Sequence, residues 1–174
     1  MPEETTRDPR QHPFHLRFAQ GPLCQRAIQA SADIDAPPAD VWQALIEFDH
    51  YEKWNPFTPI VETDLQVGSP VTLHIDMPNR SKSVRTEWVN LVEPGKTICW
   101  GMHMGARWLL CANRWQTLSP LPGNRTQYET IDYFSGLLAP LVMQLYGEPT
   151  RIGFQSVADG LKAYVELGKS RTAP

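Results

Sequence analysis

The hydrophobic pattern of this chain changes period once, near residue 137, and that change limits what the chain can fold into. Upstream, apolar residues alternate. Val71, Leu73, Ile75 and Met77 are interleaved with Thr72, His74 and Asp76, and Ile98, Trp100, Met102 and Met104 with Cys99, Gly101 and His103. A period of two belongs to strands with one buried face. Turn-forming residues separate such runs at 77–80, 93–96, 105–106 and 121–124. Downstream, Leu138, Leu141 and Leu145 share one helical face, and Phe154, Val157, Leu161 and Tyr164 share another stretch of face. A run of strands followed by one long helix predicts an α+β layer architecture, an antiparallel sheet with its helices segregated to one side.

Weak alternation over 24–35 predicts a first strand, broken by Ala36-Pro37-Pro38. Proline is tolerated in the first turn of a helix, so Pro38 starts one. Val41, Leu45 and Phe48 then fall at helical spacing, and a second helical turn runs from Asp49 to Trp54 until Asn55-Pro56 ends it. The predicted fold is a helix-grip fold: a curved antiparallel sheet of six or seven strands around a long C-terminal helix beginning near Leu137, with two short helices after the first strand. Pro149 should kink or split that helix, and Gly168 should end it. The 174 residues suit one domain, here 23–168. Residues 1–22, polar and rich in Pro, Arg and Gln, read as a partly disordered extension, with a short edge strand considered at His15-Leu16-Arg17-Phe18, and 169–174 as a tail. A sheet gripping a single helix cannot pack along its whole length, which predicts a cavity between them.

A formal net charge of -3 and no long basic run argue against nucleic acid and anionic membrane as main partners. Cys24, Cys99 and Cys111 are an odd, sparse set without the spacing of a disulfide framework or a zinc site. No apolar leader segment and no run of 18 apolar residues is present, so a cytoplasmic protein without a transmembrane segment is expected. The chain has no GxGxxG, P-loop, GxSxG or HExxH motif, so no metal and no nucleotide cofactor is expected.

Six pieces stand in a telling order: Ile34-Asp35-Ala36-Pro37 with Val41-Trp42; Tyr51-Glu52-Lys53-Trp54-Asn55-Pro56-Phe57; Gly68 before a strand; Val92-Glu93-Pro94-Gly95-Lys96 with Ile98 and Trp100; Asp132-Tyr133-Phe134-Ser135-Gly136; and Gly153-Phe154 with Leu161-Lys162. Together they resemble the polyketide cyclase and START-like superfamily (SRPBCC), which shares the fold of the birch-pollen allergen. The resemblance spans roughly residues 24–167. It implies the helix-grip fold, which hosts binding proteins, transporters, cyclases and chaperone regulators. In many members a histidine stands where this chain has Asn113. Its replacement removes a general base from that position and weighs against catalysis.

Turn chemistry predicts the pocket wall. A two-residue loop at Gly105-Ala106 sets Met102 opposite Leu109, Trp100 opposite Cys111 and Ile98 opposite Asn113. A four-residue loop at 121–124 then sets Trp115 opposite Thr130, Asn113 opposite Asp132 and Thr117 opposite Tyr128. The predicted ligand-binding residues are Trp100, Met102, Leu109, Cys111, Asn113, Trp115, Tyr128, Thr130 and Asp132 from the sheet, and Leu138, Leu141 and Leu145 from the helix. Cys99, His74 and His103 fall outside, with Cys99 and Cys111 on opposite faces. Strand 84–92 stays ambiguous: one turn favours Val84, Thr86 and Trp88 inside, the other Arg85, Glu87 and Val89, and a bulge would reconcile them.

Asp132 reads either as a pocket carboxylate whose pKa apolar walls raise, or as an acid bonding the backbone near Ser135-Gly136. Cys111 reads as a small buried hydrophobe rather than a nucleophile. Trp54-Asn55-Pro56 reads as a fixed loop rather than a ligand contact. The favoured function is a non-enzymatic carrier or sensor of a small apolar ligand, a lipid, polyketide or aromatic compound. The alternatives are a cyclase or dehydratase, and a chaperone-regulator-like interaction module using Trp88 on the outer face. The expected partner is a small apolar molecule and no nucleic acid; a homodimer stays open.

Overall fold

The computed structural model of the chain describes residues 26–172. The expectations for residues 1–22 and for Cys24 lie outside the described residues. The elements run β1 (Arg26–Ile34), α1 (Pro38–Ile46), a 3-10 helix (Phe48–Lys53), β2 (Ile60–Glu62), β3 (Pro70–Ile75), β4 (Ser83–Glu93), β5 (Thr97–Met104), β6 (Leu110–Leu121), β7 (Arg125–Ser135) and α2 (Ala139–Thr172). The strands form one seven-stranded antiparallel sheet in the order β1-β7-β6-β5-β4-β3-β2, curled about α2. The expected helix-grip architecture is therefore present.

The core lies between the concave sheet face and α2. Phe154, Val157, Ala158 and Leu161 of α2 meet Ile34, Val71, Ile98, Trp100, Leu118 and Tyr128 of the sheet, with Val41 and Leu45 of α1. The Trp54-Asn55-Pro56 segment is a fixed support, as its sequence suggests. Asn55 Oδ1 accepts a hydrogen bond of 2.8 Å from the Thr58 amide, and Tyr51 donates one of 2.6 Å to the Leu45 carbonyl. The helix approaches this segment closely because two of its residues lack side chains. A Cβ at Gly160 would collide with the Trp54 carbonyl oxygen, and one at Gly153 with the Phe57 ring.

The helix begins at Ala139, close to the expected start, and differs from expectation in two ways: it continues past Gly168 to Thr172, and it is not split at Pro149. Proline has no N–H, so the carbonyl four residues earlier, Leu145, loses its helical partner. Arg80, from the β3–β4 loop, supplies the substitute. Its Nη2 donates a 2.6 Å hydrogen bond to the Leu145 oxygen, and its guanidinium lies 5.0 Å from the Tyr146 ring centre.

The register also departs from the turn-based expectation. β5 and β6 pair as Met104 with Leu110, Met102 with Ala112 and Trp100 with Arg114. The connection is a five-residue loop, 105–109, because the chain does not turn back at Gly105-Ala106. Its carbonyls at Trp108 and Leu109 instead accept from the amides of Leu137 and Leu138. That shift of an odd number of residues moves Cys111, Asn113 and Trp115 to the outer face. The β6–β7 loop has three residues, Leu121 pairing with Arg125, not four. This second odd shift compensates the first, so Tyr128, Thr130 and Asp132 face inward as expected, with Asp132 opposite Arg114 and not Asn113.

Outside, Cys99, Trp115 and Tyr133 form a second apolar cluster with Leu91 and Ile131. The Asn113 side chain accepts from Asn90 Nδ2 at 2.9 Å, across the strand from Gly101, where any Cβ would strike it. Cys99 and Cys111 thus share a face, Cys111 pairing with His103, four positions along β5 from Cys99. Both are free thiols. In β4 a bulge between Val89 and Leu91 settles the ambiguity: Arg85 and Glu87 pair with Leu73 and Val71 on the inner face, and Val84, Thr86 and Trp88 face outward.

Candidate functional site

Between the sheet and the first half of α2 lies a cavity of about 230 Å³. Its walls are mostly apolar: Ile28, Phe57, Leu73, Trp100, Met102, Leu110 and Phe134 with Val142, Met143, Tyr146 and Phe154. Of the expected residues, Trp100, Met102 and Asp132 line it. Tyr128 and Thr130 face the same way but belong to the packed floor, where Tyr128 donates to Gln116 Oε1 at 2.7 Å. Cys111, Asn113 and Trp115 are on the far side of the sheet, and Leu109 lies in the loop. On α2, Leu141 and Leu145 point to solvent and Leu138 precedes the helix. The stretch is apolar on most sides, Gln144 aside, and the sheet takes the stripe through Val142, Met143, Tyr146 and Thr150 instead.

Besides Thr150, the polar residues Thr58, Arg85, Glu87 and Arg114, which sequence reasoning left out or left ambiguous, line the cavity. Arg114 is only 6% exposed. Its Nε donates to Thr130 Oγ1 at 3.0 Å, and its guanidinium packs 4.2 Å from the centre of the Phe154 ring. Trp100, Arg114 and Asp132 are successive cross-strand neighbours on one row of the sheet. Each carries a buried polar atom with no hydrogen-bond partner, Trp100 Nε1, Arg114 Nη2 and Asp132 Oδ1, and Thr58 Oγ1 is a fourth at the same cavity. Two donors and an acceptor side by side match an oxygen-bearing group with both lone pairs and a proton to offer.

Electrostatics divides the two carboxyls. Burial pushes Asp132 up to about 6, against the pull of the Arg114 charge, the Asn113 backbone and Arg85. Burial and then the Asp132 charge push Glu87 up to about 8, with Arg114 and Arg85 opposing. Asp132 thus lies below neutrality and Glu87 above it, the ordering that suits a base and an acid. Burial raises the Cys99 and Cys111 thiols, the opposite of an activated nucleophile. Among the described residues no three His, Cys, Asp or Glu side chains converge as a metal site would require, and no helix is long and apolar enough to cross a membrane.

Residues 25–166 match the family model described as polyketide cyclase / dehydrase and lipid transport. No curated protein matches the chain in sequence. Among solved structures, the Zhui aromatase/cyclase from Streptomyces sp. R1128 superposes with a TM-score of 0.66 at 18% identity, over 82% of this chain and 94% of its own. A protein from Mesorhizobium loti gives 0.64 at 23% identity, over 86% and 100%. Norcoclaurine synthase from Thalictrum flavum, in complex with a transition-state analogue, gives 0.64 at 15% identity, over 84% and 97%. At these identities the likeness is one of fold.

Proposed function

Because the chain belongs to the polyketide cyclase / dehydrase and lipid transport family, we propose that its cavity binds a compact apolar molecule whose oxygenated head is oriented by Trp100, Arg114 and Asp132. The observation that carries this reading is the row of three partnerless polar atoms facing one apolar cavity. Leaving a buried polar group unpaired costs about 1–3 kcal/mol, so a ligand that satisfies the row gains over one that does not. Apolar walls add about 25 cal/mol per Å² of surface buried. A volume of about 230 Å³ lies below the usual 300–1,000 Å³ of ligand sites and favours one or two fused rings over a long acyl chain.

The test is native mass spectrometry of the purified protein, with denaturation to release and identify what co-purifies. Titrations then compare a hydroxylated aromatic ketone with its hydrocarbon analogue. The oxygenated compound should bind about tenfold more tightly, and Asp132→Asn or Arg114→Met should erase the difference. Equal affinity for both compounds in the unaltered protein would sink the proposal.

A second reading is favoured by the split between Asp132 and Glu87. Asp132 would take a proton from the carbon beside a carbonyl held by Trp100 and Arg114. Glu87 would give its proton to a β-hydroxyl as the carbon–oxygen bond breaks, releasing water and leaving a conjugated product. The Asp132 proton then returns to Glu87 through solvent. Asn113 has no bearing on this, since its side chain faces away from the cavity. The rate should rise with pH through about 6 and fall through about 8. Asp132→Asn should abolish turnover while substrate still binds.

A further inference from the structure

The lining residues that stay exposed, Met104 and Arg85, gather at one end of the cavity, where the β3–β4 loop, the 105–109 loop and the start of α2 meet. This is the mouth. Around it the surface is unusually apolar: Leu137 is 57% exposed, Trp108 55%, Leu141 51%, Met104 48% and Leu145 46%. These residues are contiguous. The Leu137 amide bonds the Trp108 carbonyl at 2.9 Å, and Leu141 and Leu145 follow one helical turn apart on α2. Residues 133–147 contain no charged side chain.

The flanks are cationic. Arg107 adjoins Trp108, and on the other side the β3–β4 loop brings Arg80 and Lys82, with Arg85 at the rim. Arg80 is held against the helix by its 2.6 Å bond to Leu145. Among the described residues the acids near it are Asp76, 2.8 Å from Lys82, Glu87, two positions from Arg85 on the same face of β4, and Glu148, paired with Arg151. The chain as a whole is negative, at -3, so the cationic mouth runs against its overall charge.

We infer that the mouth of the cavity docks on an anionic lipid bilayer, with Trp108, Leu141 and Leu145 entering the interface and Arg80, Arg107 and Lys82 meeting lipid phosphates. An uncharged apolar helix face flanked by cations, with an indole beside it, is the surface a headgroup layer accommodates. A second copy of the chain fits less well, because a two-fold contact would set one cationic rim against another. Docked so, the cavity opens toward the acyl layer, where apolar molecules are concentrated. The inference concerns the surface and holds whatever head group the cavity prefers.

The experiment is flotation of the full chain with vesicles of phosphatidylcholine and phosphatidylglycerol, beside vesicles of phosphatidylcholine alone. Binding is expected to the mixed vesicles and to weaken with salt. Leu141→Glu and Leu145→Glu should each cut it at least tenfold, and Arg107→Gln about fivefold. Val84→Glu, on the outer sheet face, should leave it unchanged, as circular dichroism should leave all four variants folded. Trp108→Phe should remove a fluorescence blue shift seen on adding mixed vesicles. No flotation of the unaltered protein, or flotation indifferent to Leu141→Glu and Leu145→Glu, would overturn the inference. So would a dimer in light scattering that Leu141→Glu breaks while no vesicle is bound. None of these outcomes touches the ligand titrations, which are made without vesicles.

Discussion

Asp132 and Glu87 are held above the ordinary carboxylate range, and both shifts act on stability in the same direction. The folded protein keeps protons that the unfolded chain has released. Stability therefore falls as pH rises from about 4 toward 8, through the Asp132 value near 6 and then the Glu87 value near 8. Glu87→Gln should flatten the upper part of that decline. We expect its Tm to exceed the unaltered protein's by about 5 °C at pH 9 and to match it near pH 4, by scanning fluorimetry. A variant that melts lower at pH 9 would mean Glu87 is ionised and paired. The two carboxyls were unequally legible. Asp132 follows from strand alternation, although it does so through two register shifts that compensate. Arg114 and Glu87 sit on half-apolar strands where a charge ordinarily marks the solvent side. β6 mixes apolar and polar residues on both faces, Leu118 with Arg114 inside and Trp115 with Asn113 outside; its sequence therefore gives no parity to correct the loop.

At the level of elements, α2 depends on a side chain from another part of the chain. Arg80 bonds the carbonyl that Pro149 leaves open, so the two residues form a coupled pair. Arg80→Met should cost about 1 kcal/mol in urea denaturation and speed amide exchange in residues 139–148. In a Pro149→Ala background, where the amide is restored, the same change should cost close to nothing. Equal costs in both backgrounds would show that Arg80 acts through the Tyr146 ring instead. The long helix itself was legible from its period. Its continuity was not, because a proline normally breaks a helix and the compensating arginine is 65 residues along the chain from the carbonyl it bonds. Loop lengths failed for a similar reason. Gly105 does take a positive φ of 60°, but the chain turns over 106–109 instead, where the Leu109 amide bonds the Ala106 carbonyl and the amides of Leu137 and Leu138 hold the loop, a partnership between distant segments.

For the whole molecule, sheet, helix and their order were readable because alternation and helical period are local properties, while the side of the sheet each residue occupies is not. The domain is tied together where α2 crosses the Trp54–Phe57 segment. Gly160→Ala should force the helix off the Trp54 carbonyl and lower stability by about 2 kcal/mol or more, measured by denaturation; a neutral effect would show that the crossing relaxes freely. The partnerless row at the cavity has a consequence at this scale too. An occupied cavity relieves polar atoms that an empty one leaves unpaired, so filled molecules unfold less often, by mass action. Any protease that removes unfolded chains then clears empty copies faster than filled ones. The standing amount of this protein would rise and fall with the supply of the molecule it holds, a gauge built from turnover alone.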